Sequence, residues 1–205
     1  MAFPALDRLL ELARSLARAG AWFGGLLIVA SALLVGVEVV IRRAFGLTIG
    51  GADELSGFAL AISTAFGLAF TLLERAHIRV DSLYLHLPVR VCALLDILGL
   101  AALLGFFGLI TWHAFGVLET SWRLGARSMS PLATPLIIPQ ALWVTGLIMF
   151  LLIAGLLLIR ALGLLLTGDA ISVQRLIGSR SLTEELEAEL DEQQRVRARP
   201  PELGA

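Results

Sequence analysis

Lysine is absent from this chain of 205 residues, so all sixteen of its basic residues are arginine. They are scattered along the sequence and balanced by seventeen acids, for a formal net charge of −1. That balance excludes the basic patch a nucleic-acid partner requires. Cysteine is nearly absent too. The single Cys92 excludes a disulfide framework and a cysteine-based metal site. Charge is scarce at 16% of residues, against about a quarter in soluble domains. Neither a glycine-rich phosphate loop nor a nucleophile-base-orienter spacing is found, so nothing supports ATP hydrolysis or covalent catalysis.

What the chain does have is apolar length. Hydrophobic residues make up 58% of it, and the mean hydropathy is +0.86. Residues 21–37 carry no charge, and the apolar run continues past Glu38 to Ile41. Residues 55–73 are uncharged, 97–118 contain only His113, and 132–159 are uncharged. A hydrocarbon core of about 30 Å takes about 20 helical residues. The runs are continuous rather than alternating, which excludes barrel strands. The fold class is therefore an all-α integral membrane protein with four transmembrane helices, near 20–41, 55–73, 91–118 and 139–166. Together they form one transmembrane domain over 21–168.

Ahead of the first span, Leu6, Leu9, Leu10, Ala13, Leu16 and Ala17 share one helical face, with Asp7, Arg8, Glu11, Arg14 and Arg18 mostly on another. This predicts an amphipathic helix over 1–20 lying in the membrane interface. The first apolar run is too long for a cleavable signal, and no small-x-small site follows it. With the termini inside, the inner flanks hold nine arginines (Arg8, Arg14, Arg18, Arg75, Arg79, Arg90, Arg160, Arg175 and Arg180) and the outer loops four (Arg42, Arg43, Arg123 and Arg127). The excess predicts cytoplasmic N- and C-termini. Trp22, Trp112, Trp122 and Trp143 are expected near span ends. Residues 169–205 are polar and predict a short solvated cytoplasmic helix, with capping-box spacing at Ser181 and Glu184 and Pro200-Pro201 as its stop.

Candidate site residues are the few charges near the spans. Glu38 and Arg42 are spaced i, i+4, the favourable order for a helical ion pair. Glu38 is also the one carboxylate a proton-coupled exporter would use, although the pair reading predicts that Glu38→Gln is tolerated. Asp53 and Glu54 follow Gly50-Gly51 and open the second span, where acids suit a helix N-terminus. Asp96 sits one turn inside the third span. His113 is expected to be a hydrogen-bonded bundle residue, because haem ligation would need a second intramembrane histidine. The stretch L-L-E-R-A-H-I-R-V-D-S-L at 72–83 gathers Glu74, Arg75, His77, Arg79 and Asp81 between apolar runs. A positive-inside loop explains its arginines. It does not explain why His77 and Asp81 flank I-R-V.

Across A-D-E-L-S-G-F-A-L-A-I-S-T-A-F-G-L-A-F-T-L-L-E-R-A-H-I-R-V-D-S-L the chain resembles the small membrane subunit of tripartite ATP-independent periplasmic (TRAP) transporters. The acidic pair opening the second span, the mid-span Gly67, and the element His77-Ile78-x-Val80-Asp81 carry the likeness. It is firm over 38–88, agrees in layout to 166 and does not cover the tail. The resemblance implies a non-catalytic scaffold in the bacterial inner membrane. A large multi-span subunit would hold the substrate and sodium sites, and a periplasmic binding protein would deliver an organic acid such as a dicarboxylate or sialic acid. No cofactor is then expected on this chain. Glu38, Arg42, Asp53, Glu54, Gly67, Glu74, Arg75, His77, Arg79 and Asp81 become interface or structural candidates. Two other classes stay open: a stand-alone oligomeric exporter using Glu38, and a membrane anchor of a redox enzyme using His77, His86 and His113.

Overall fold

In a medium without water each apolar run must satisfy its own amides, and a helix does so within one segment. The computed structural model describes residues 4–75, 87–178 and 190. Four long helices form: α1 (Pro4–Phe45), α2 (Ala52–Leu73), α3 (Val89–Leu124) and α4 (Ile137–Leu166). All four are long and apolar enough to cross a membrane. A short helix, α5 (Ala170–Ile177), follows. Among the described residues the only strand-like feature is an isolated bridge between Arg127 and Pro135.

The helices form two hairpins, α1–α2 and α3–α4, joined chiefly where α4 packs on α2. Small residues let the backbones approach, as packing in lipid requires. Ala17, Ala69, Ala93, Ala154 and Ala161 have no exposed surface. A Cβ on Gly24 would stand 3.1 Å from the Ser63 backbone, and the Ser63 hydroxyl donates to Gly24 O at 2.8 Å. A Cβ on Gly146 would come within 2.8 Å of Ala65 Cβ. Phe150 is fully buried and stacks at a tilt on Phe107, 4.7 Å between ring centres.

Three expectations are revised. Residues 4–20 are not a separate helix, because α1 runs unbroken through Gly20 to Phe45. Gly20 causes no break: it lies in a tight contact, where a Cβ would meet Met149 and Phe66 at 3.0 Å. Of the apolar face expected to rest on lipid, Leu10, Ala13 and Ala17 are buried in the protein core, while Leu9 and Leu16 stay about half exposed. Second, the polar tail does not begin at 169. Ala170, Val173 and Ile177 form an i, i+3, i+7 stripe that is buried against α3 and α4. Asp169 caps this helix, accepting Ser172 N at 3.0 Å and Ser172 Oγ at 2.6 Å. Third, α1 and α3 outrun their uncharged stretches, to Phe45 and Leu124. A charge ends an apolar run without ending a helix.

Candidate functional site

Polar groups gather at the two ends of the bundle. At the end holding the α1–α2 and α3–α4 loops, Glu38 is only 3% exposed. Its Oε1 accepts from Arg42 Nη2 and Thr48 Oγ1, both at 2.6 Å, and its Oε2 accepts from Ile49 N at 2.8 Å. The expected Glu38–Arg42 pair is therefore present, but the carboxylate does more than pair. It folds the α1–α2 loop back onto α1.

That loop continues through Gly50 and Gly51, with φ of 65° and 115°. Only glycine adopts such angles without strain, and both positions also lack room for a side chain. A Cβ would crowd Pro131 at 3.3 Å from Gly50 and would overlap the Leu132 side chain from Gly51. The α3–α4 loop thus rests directly on the glycine turn. Glu54 completes the junction: its Oε2 accepts from Ser128 Oγ at 2.8 Å, and Ser130 and Thr134 stand beside the same carboxylate. The cap of α2 is Gly51, with no side-chain hydrogen bond. Glu54 is therefore a tie between the two hairpins rather than a cap. Asp53 is exposed, and its carbonyl accepts from Ser56 Oγ at 2.8 Å.

At the opposite end, Glu74 terminates α2, and Arg75 follows with φ of 55°. Arg75 Nη1 donates to Gln174 O of α5 at 3.5 Å. Asp96 is 1% exposed, and its Oδ2 stands 3.2 Å from where a Cβ on Gly178 would lie. Ends of α2, α3 and α5 thus converge here. His77, Arg79, Asp81 and His86 lie outside the described residues. Gly67 faces open space rather than a neighbour. His113 is not a bundle residue: it is exposed on the outer face of α3.

Spacing does not announce the Ser63–Gly24, Glu54–Ser128 and Gly50–Pro131 contacts. The only local signal for them is a small or hydroxyl residue inside an apolar run. An apolar cleft of about 310 Å³ lies between α1, α2 and α4, lined by Leu27, Leu34, Phe58, Ile62, Ile138 and Leu142. Among the described residues no three His, Cys, Asp or Glu side chains gather as metal ligands would.

Four apolar helices tied by polar contacts at both ends define a small four-span membrane protein. Residues 31–164, well over half of the chain, match the family described as tripartite ATP-independent periplasmic transporters, DctQ component. The chain belongs to that family of transporter subunits. No curated protein and no solved structure matches it.

Proposed function

We propose that the chain is the non-catalytic scaffold subunit of a sodium-coupled, binding-protein-dependent importer of an organic acid. It sits in the bacterial inner membrane with both termini in the cytoplasm and braces the large transport subunit there. Family membership sets the class. The observation that carries the bracing role is the use made of the charges. Glu38 and Glu54 each accept hydrogen bonds that fix one helix or loop to another. A carboxylate that already accepts three internal hydrogen bonds suits a structural role better than an exchanging ion site, and this speaks against the exporter reading. Glu74, Arg75, His77, Arg79 and Asp81 are assigned a positioning role between the second and third spans. Sodium and substrate are assigned to the large subunit, and the binding protein is the third partner.

The test is reconstitution in proteoliposomes of this chain, the large membrane subunit and the binding protein from the same genome. Sodium-dependent uptake of an organic acid should need all three. Uptake by this chain alone would overturn the scaffold reading.

A further inference from the structure

The outer face of α3 carries a polar residue where lipid alone would not satisfy it. His113 is exposed, as are Leu109 at 59% and Trp112 at 77%. Among the described residues its ring takes part in no hydrogen bond or ion pair. Depth is set by α2, the shortest span. Its 22 residues make about 33 Å, barely the hydrocarbon thickness of about 30 Å. Ala65 lies about 20 Å along α2 from Ala52 and about 12 Å from Leu73. Gly146 is packed against Ala65, and Ala65, Ala114, Val144 and Leu147 share one buried cluster. His113 precedes Ala114, and the next charge along α3, Glu119, is six residues or about 9 Å further on, so His113 lies inside the span rather than among its terminal charges.

An imidazole inside the span is too short to reach the headgroups as arginine does by snorkelling. Intramembrane ionisable groups face protein or water-filled cavities rather than lipid. On the same face Gly105 and Gly116 would meet nothing with an added Cβ, which leaves room for close approach by another helix.

We propose that this α3 face seats a transmembrane helix of the large transport subunit, which presents an amide, hydroxyl or carboxyl group to the His113 ring. The proposal rests on the bracing reading above. A second copy of this chain is the poorer occupant. Around His113 its own α3 face would offer Leu109, Gly116, the Trp112 indole and a second His113 ring that itself lacks a partner among the described residues, and Thr120 already donates to Gly116 O at 2.8 Å.

The test uses the full complex in membranes, with the photocrosslinker benzoylphenylalanine at Leu109 and, separately, at Leu33 of α1. An adduct of position 109 with the large subunit is expected. No adduct from 109 in a complex that co-purifies overturns the proposal and leaves the bracing reading intact, even if Leu33 crosslinks. An adduct of 109 with a second copy also overturns it. Failure of the wild-type chain to co-purify with the large subunit would sink the bracing reading itself, and the proposal with it. His113→Leu should lower recovery of the large subunit about three- to tenfold, and His113→Gln should restore most of it. The isolated His113→Leu chain should keep wild-type melting, because the ring lies outside its own bundle. Undiminished recovery with His113→Leu would equally overturn the assignment.

Discussion

Both carboxylate oxygens of Glu38 are occupied inside the chain, which changes what its neutralisation should do. In Glu38→Gln an amide NH2 must face a donor, either Ile49 N–H or the Thr48 and Arg42 donors. A buried donor left without an acceptor is costly. The expected outcome is a melting temperature several degrees below wild type, with sodium dependence of uptake unchanged. Thermal melting of the purified chain and uptake at varied sodium check the two halves. Tolerance was the expectation from the i, i+4 spacing, because spacing shows Arg42 and hides Thr48 and Ile49. The Glu54–Ser128 bond, across 74 residues, was equally hidden. Asp169 gives a pH prediction. The Ser172 hydroxyl and backbone N–H hold its carboxyl below the ordinary value of 3.8. A depressed folded pKa contributes stability above the unfolded value and loses it as pH falls through the folded one. Asp169→Ala should therefore melt below wild type at pH 7, and the difference should close as the pH drops below about 4.

The four spans were legible because an uncharged run of bilayer length has few alternatives to a helix. Their ends were not, because the arginines and acids that bound such runs are good helix residues themselves. α5 was missed for a different reason. Its eight residues precede a polar sequence and read as solvated with it until α3 and α4 are in place to cover Ala170, Val173 and Ile177. Truncation tests this. Ending the chain after Gly178 should leave melting near wild type, while ending it after Thr167 removes α5. Burying one Val or Ile side chain contributes roughly 1.5–3 kcal/mol, so the shorter chain should express poorly or melt far lower. Fluorescence-detected gel filtration of both truncations decides. Gly146→Val should be as damaging as losing α5, because its side chain would have to displace the Ala65 and Phe66 backbone.

For the molecule as a whole, orientation is the property that arginine counting predicts and geometry leaves to experiment. Cys92 is 2% exposed and cannot report on it. In a Cys92→Ala background, Met129→Cys and Thr167→Cys mark the two ends. Met129 is fully exposed at the tip of the α3–α4 loop, and Thr167 is exposed just past α4. An impermeant thiol reagent applied to spheroplasts should label position 129 and spare 167. The reverse pattern would invert the topology.

The loop-end junction also has a mechanical consequence. For the α1–α2 hairpin to shear along α3–α4, Ser128 must leave Glu54, and Pro131 and Leu132 must lift off the glycine turn. At the far end α5 bridges α3 and α4 and receives Arg75 from α2. Two hairpins riveted at both extremities have little freedom to slide. If the bundle braces a larger subunit, it is therefore expected to do so as a single stiff block.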